Sequence, residues 1–374
     1  MSNFAFGTYK VSDYNPQHVQ ALRDAVKSGI SMIVTSSNYI DGSSEKAVAL
    51  ALSEYDSSAQ DSVEIVSKYK LSQKLDEQLQ LSLERLQKDK IDCYLIENPE
   101  ELLFEAIKNN IEKDDRLDAM NAKLFEAFLE LEQAVGENKI DSYGISSDAF
   151  STKHSSDYFL PYEDILTLAQ DAADEIQNEK HSLTTIELPI NMLEIEGLKC
   201  VAWAKENGLR VLANRPLNAQ FETLMFRLAD YDESNEYYHH LNELLEVTDN
   251  EILRPLYNLI EELDDSKHKF GWIGDYDTFL YAQMIPHIKT SLEVLDEQNT
   301  QTMLNLIDLF LQEYRKMVSY ECSKNTRVKL KELFIDCHTS MQECALKFLM
   351  DKEEIDFIVV GMRKPSYVYE ILAI

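Results

Sequence analysis

Glycine is scarce in this sequence, at 10 of 374 residues, which argues against a chain built mainly of tight turns and short strands. Positive charge is short as well. Against 67 Asp and Glu stand 36 Lys and Arg, a formal net charge of −31. A chain so acidic repels phosphate backbones and anionic membrane surfaces unless a local basic patch offsets it, and no such patch is present. Nucleic acid and membrane are therefore not expected partners. No segment approaches the roughly 18 consecutive apolar residues of a membrane span. The opening residues Met-Ser-Asn-Phe-Ala-Phe-Gly have neither the basic nor the apolar region of a secretory signal, so none is expected. The five cysteines show no regular spacing. Cys93, Cys200 and Cys344 fall in apolar or periodic segments, where the thiol acts as a small hydrophobe. These features point to the cytoplasm. Cys322, Cys337, His338 and Cys344 are the one group to weigh for metal, but their spacing fits no zinc pattern and no metal site is assigned.

What is present is a large apolar share, 44% with 10% aromatic, enough for a sizeable core. Short β-type runs occur at Phe4–Tyr9, Ser31–Thr35, Val63–Lys68, Cys93–Ile96, Ser142–Ser146, Leu183–Leu188, Arg210–Asn214 and Phe357–Val360. Between them lie helical stripes such as Leu75, Leu79, Leu83 and Leu86. Strands alternating with helices require parallel neighbours joined by crossovers. Eight such units predict a closed (β/α)8 barrel, an α/β fold. The alternative doubly wound sheet would want G-x-G-x-x-G after the first strand, and the chain has none.

The spacing between the seventh and eighth strands far exceeds the roughly 30 residues of a βα unit. It is read as a mostly helical insertion, with barrel strands 1 to 7 in residues 1–217, the insertion in 218–339 and the return to the barrel in 340–374. Its stripes, such as Met303, Leu304, Ile307, Leu311, Tyr314 and Val318, are expected to form a helical bundle over the barrel mouth. A lid or a protein-partner surface is the other reading. A smaller extension, Glu100–Lys123, follows strand four.

The C-terminal strand ends, where such barrels place their active sites, carry further motifs. Gly29-Ile-Ser-Met-Ile-Val-Thr-Ser-Ser-Asn-Tyr-Ile-Asp-Gly-Ser-Ser-Glu45 is one. Ser67-Lys68, Ile91-Asp-Cys-Tyr-Leu-Ile-Glu-Asn-Pro99, the Tyr-Gly-Ile-Ser run ending at Ser146, Asn214-Arg-Pro-Leu217 and Val359-Val-Gly-Met-Arg363 follow in order. Together they resemble the aldo-keto reductase family, in a subgroup with an Asn-Arg-Pro-Leu strand-seven end. The resemblance implies NADP(H) extended across the barrel mouth and hydride transfer to a small carbonyl compound or an activated double bond. It implies a Tyr that gives the proton, a Lys that lowers the Tyr pKa, an Asp that holds the Lys and a His that steers the carbonyl. Tyr39 and Lys68 match the first two. The Asp position is Val34 and the His position is Glu97. A phenol titrates near 10, so the resemblance makes Lys68 its activator. Glu97 either replaces the missing charge beside Lys68 or, as a neutral acid, donates a hydrogen bond to substrate.

The same resemblance assigns cofactor contacts to Ser146, Ser147, Glu187, Asn214, Arg215, Pro216, Leu217, Gly361, Arg363 and Lys364. Ser147 stands at the family's Asn, Glu187 at its Gln and Asn214 at its stacking aromatic. Gly361, Arg363 and Lys364 lie where backbone amides and cations meet phosphate. Two functional readings stay open: an NADPH-linked oxidoreductase with an altered tetrad, or a non-catalytic relative that binds a nucleotide or a partner through its acidic insertion.

Overall fold

The computed structural model describes residues 4–374. Eight parallel strands close into a barrel: β1 (Phe4–Gly7), β2 (Met32–Val34), β3 (Glu64–Tyr69), β4 (Ile91–Glu97), β5 (Ile140–Ser146), β6 (Leu183–Pro189), β7 (Arg210–Asn214) and, far along the chain, β10 (Phe357–Gly361). The order around the barrel is β1-β10-β7-β6-β5-β4-β3-β2, so β10 closes the ring between β1 and β7. Every expected strand is present, with ends shifted by up to two residues.

Local chemistry explains the elements. Helix Pro16–Lys27 starts with Pro in its first turn and with the Asn15 side chain accepting from the Gln17 amide, which satisfies one orphan donor. Helix Leu75–Leu86 buries Leu75, Leu79, Leu83 and Leu86 on one face. At Gly144 in β5 the ladder to β6 slips by one residue, and a Cβ there would stand 1.9 Å from the Thr185 carbonyl oxygen. Only glycine fits this approach.

Inside the barrel, Ala5, Met32, Val34, Val66, Cys93, Leu95, Leu212 and Val359 pack into one apolar cluster. Val34, standing where the family resemblance calls for Asp, is thus a filler of the barrel interior.

The chain divides into two compact units, one running to Pro216 and resuming at Leu346, the other spanning Leu217–Ala345. The second begins with an antiparallel hairpin, β8 (Asn218–Phe221) and β9 (Leu224–Arg227), that sequence periodicity did not indicate. Helices follow at Tyr237–Thr248, Arg254–Ser266, Ile273–Phe279, Ile285–Leu292 and Glu297–Lys329. They share their own core, in which Tyr237, Phe310, Tyr314 and Tyr276 form a chain of ring contacts. On the long helix Phe310 replaces Leu304 in the buried stripe; Leu304 is 38% exposed.

The cysteine reading needs correction. Cys337 and Cys344 are joined in a disulfide, which leaves Cys93, Cys200 and Cys322 free and buried. Cys344 is therefore a cross-link and not a small hydrophobe, and the group Cys322, Cys337, His338 and Cys344 loses two of its four prospective ligands. No helix among the described residues is long and apolar enough to cross a membrane.

Candidate functional site

The C-terminal ends of β3, β4, β5, β6 and β7 and the loop after β2 bring Lys68, Glu97, Ser146, Glu187, Asn214 and Tyr39 together at one end of the barrel. Lys68 is 2% exposed, and its Nζ lies 3.5 Å from the Tyr39 hydroxyl oxygen. The Tyr–Lys pair implied by the sequence is in place.

The countercharge for Lys68 comes from an unexpected strand. Glu187 Oε1 is 2.5 Å from Lys68 Nζ and also accepts from Asn214 Nδ2 at 2.7 Å. The expectation that Glu97 replaces the missing carboxylate is thus corrected. The ion pair spans β3 and β6, and Val34 packs in the apolar interior. Burial alone would lower the Lys68 pKa, but Glu187, with Tyr39 and Glu97 behind it, outweighs that and holds the ammonium charged.

Glu97 is anchored differently. Its Oε2 accepts from Ser36 Oγ and Asn38 Nδ2, both at 2.9 Å, and Gln73 steadies Asn38 from behind. Oε2 is thereby committed as an acceptor inside the protein, which leaves Oε1 as the oxygen that can face a substrate. Ser36, Asn38 and Gln73 escaped the sequence reading; only the adjacency of Asn38 to Tyr39 could have flagged them.

These charges change what Lys68 does to the phenol. Burial is the largest influence on Tyr39 and raises its pKa; Lys68 pulls it down, but Glu97 and Glu187 push it up again. The net direction is upward, contrary to the expectation of a lowered phenol. The reason is that burial outweighs Lys68, whose pull Glu97 and Glu187 further offset.

Several cofactor assignments also meet other partners. Ser147 donates to Glu100 Oε2 at 2.8 Å and accepts from the Ala149 amide, capping the turn Asp148–Ser151. It is committed inside the protein. Arg215 pairs with Glu194 at 2.5 Å and Asp148 at 3.3 Å, so its charge is spent locally. Leu217 is buried and begins the second unit, next to Pro216, the last residue of that stretch of the barrel unit. Gly361 and Lys364 are exposed, and Arg363 is half-buried near His18, whose pKa falls through burial and then through the Arg363 charge. Helix Pro365–Leu372 opens directly after Lys364.

Two acceptors at the site are orphaned. Glu187 Oε2 and Asn214 Oδ1 are buried without a hydrogen-bond partner among the described residues. Ser146, the register partner of Glu187 on the next strand, has a hydroxyl that makes no hydrogen bond with a described residue. A free hydroxyl donor beside an orphan carboxylate acceptor is the complement of a primary carboxamide, which offers one oxygen and one NH2. This donor set fits the nicotinamide end of NADP(H).

Backbone strain gathers at the same strand ends. Ile40, Asn98 and Arg215, which directly follow Tyr39, Glu97 and Asn214, have φ values of 49°, 46° and 50°. For β-branched Ile40 this conformation costs roughly 1–2 kcal/mol, the kind of strain that a constrained site retains.

Glu100 is a further buried carboxyl that the sequence reading left aside. Burial pushes its pKa up to about 7, against hydrogen bonds from Ser147 and backbone amides that lower it. Its proton is held more tightly in the folded chain than in the unfolded one, so the folded state carries more protons between about 4.5 and about 7. Stability contributed by Glu100 is then greatest at the acid end of that window and falls as pH rises through about 7. Urea unfolding across pH 4–8 checks this: the slope of stability with pH should flatten in Glu100→Gln, and an unchanged slope refutes it.

In the second unit, His239, His240 and Glu243 bring three potential metal-ligand atoms within 4.8 Å of one another, with His240 Nδ1 3.5 Å from Glu243. At the opposite end of the barrel strands, a surface cavity of about 550 Å³ is lined by Glu64, Asp92, Asp141 and Arg210 among others, with Arg210 paired to Glu64. These residues stand at the N-terminal ends of their strands, away from the end that carries Lys68 and Glu97.

Comparison with known proteins supports this reading of the fold. The glycerol dehydrogenase of Gluconobacter oxydans superposes over 99% of this chain and 85% of its own, with a TM-score of 0.51 at 15% identity. An aldo/keto reductase of Klebsiella pneumoniae, crystallised with NADP and acetate, aligns with 58% of this chain at 22% identity and a TM-score of 0.40, and the chain spans 65% of that protein's length. No curated protein matches by sequence. The Aldo/keto reductase family profile matches residues 3–374, nearly the whole sequence. With a closed parallel barrel and the Tyr39–Lys68 pair at its C-terminal strand ends, the chain belongs to the aldo/keto reductase family.

Proposed function

We propose that the protein is an NADPH-dependent reductase of a small carbonyl compound, with Tyr39 as the proton donor. The observation that carries the reading is the Tyr39–Lys68 pair set beside a free Ser146 hydroxyl and the orphan Glu187 Oε2. Bound NADPH would supply a hydride. Ser146 and Glu187 Oε2 would hold its carboxamide, while Arg363, Lys364 and the amides opening helix Pro365–Leu372 would meet its phosphates. Tyr39 keeps its proton at working pH and delivers it to the carbonyl oxygen as negative charge develops there. Lys68, held charged by Glu187, stabilises that developing charge from 3.5 Å behind the phenol.

Reduction of an activated double bond is the weaker variant, because Glu97 Oε2 is already taken by Ser36 and Asn38. That the protein is a soluble, cytoplasmic enzyme acting on a small molecule is part of this proposal.

Calorimetric titration with NADPH, NADP+ and NADH tests it. We expect micromolar binding of NADPH, weakened about tenfold or more by Arg363→Ala through loss of a charge-assisted contact. Absence of binding up to millimolar concentration would overturn the reading.

A further inference from the structure

Glu97 is 9% exposed, yet only half of its carboxylate is used. Oε2 takes both Ser36 and Asn38, whereas Oε1 has no partner among the described residues and is not fully covered. Among the described residues no cation forms a direct ion pair with Glu97. Lys68 is matched by Glu187, Lys70 by Glu101 at 2.5 Å, and Arg215 by Glu194 and Asp148. A held, largely dehydrated carboxylate with one open oxygen is complementary to a group that only donates and carries positive charge. It repels a carboxylate.

Resting on the reading of this barrel end as the substrate site, we infer that it selects a carbonyl compound bearing a protonated amine, and that Glu97 Oε1 receives the ammonium. The rest of the site is consistent with this. Tyr39 addresses the carbonyl oxygen, and Ser146 with Glu187 Oε2 answers a carboxamide, which leaves Glu97 Oε1 to a substituent of the substrate. The anchoring of Oε2 through Asn38 and Gln73 fixes where that substituent must lie. The −31 net charge adds a long-range field that favours cations, but it does not single out one atom.

The test needs neither cofactor nor turnover, so its failure is separable from failure of the reductase reading. Full-length protein is titrated calorimetrically with benzylammonium, benzyl alcohol and benzoate. Benzylammonium is expected to bind about tenfold or more tighter than the other two. Glu97→Gln keeps an acceptor for Ser36 and Asn38 but removes the charge, and should bring the three affinities together to within about twofold. Glu97→Asp keeps the charge and should retain the preference. Equal binding of the three probes, tightest binding of benzyl alcohol, or a preference that survives in Glu97→Gln because the bulk charge causes it, overturns the inference. So does loss of the preference in Glu97→Asp as complete as that in Glu97→Gln.

Discussion

Glu187→Gln lowers the stability of the barrel by about 3 kcal/mol or more, and Val34→Asp, harmful alone, recovers much of that loss when the two are combined. Removing one partner of a buried ion pair leaves the other charge uncompensated, a change that costs about 3–5 kcal/mol. Here the stranded charge is Lys68, which is 3% exposed in its side chain and has Glu187 at 2.5 Å. In wild type, an Asp at position 34 would add a carboxylate where Val34 packs with Ala5, Met32 and Val66. It would bring negative charge to a site where Lys68 is already matched. In the Glu187→Gln background the same Asp becomes the missing countercharge. The sign of its effect therefore reverses, and this coupling is what a double-mutant cycle isolates. Urea unfolding of the four proteins measures it. Additive effects, or a loss of under about 1 kcal/mol in Glu187→Gln, would show that Lys68 does not depend on Glu187.

Tyr39→Phe reduces kcat/KM for carbonyl reduction by a factor of about 10²–10⁴, the usual contribution of a positioned general acid. Because burial and two carboxylates raise the phenol pKa, Tyr39 stays protonated as pH rises through neutrality. The wild-type reduction rate should therefore show no basic limb from this residue between pH 6 and 9. Alcohol oxidation, which needs the phenolate, should be correspondingly slow. A Phe variant within tenfold of wild type would remove Tyr39 from the role, and a basic limb that disappears with the Tyr39 hydroxyl would show that the phenol is not held above its ordinary range.

Much of this was legible in the sequence, and the parts that were not share a cause. Periodicity located all eight barrel strands, because each is a short apolar run between helical stripes, and ordered motifs located Tyr39 and Lys68 at strand ends. The partner of Lys68 was not legible. Glu187 lies 119 positions away, and its capture of Lys68 depends on how two strands of the closed barrel face each other. Ser147 looked available until Glu100, 47 positions earlier, was found holding it. The Cys337–Cys344 bond and the hairpin of β8 and β9 were missed because short spacing and weak alternation do not distinguish them from helical surroundings.

The placement of β10 has a consequence for synthesis. Both β1 and β7 pair with β10, and about 140 residues separate β7 from it. At roughly 5–20 residues per second, a ribosome takes roughly 7–30 s to cover that distance. Throughout this interval the nascent chain holds seven strands with two unpaired edges, and one of them is the apolar Phe4-Ala5-Phe6-Gly7. Open edges of this kind are templates for pairing with other chains. Expression yield should then be governed less by the finished fold than by this waiting time, and by whatever shields those edges until the last strand emerges.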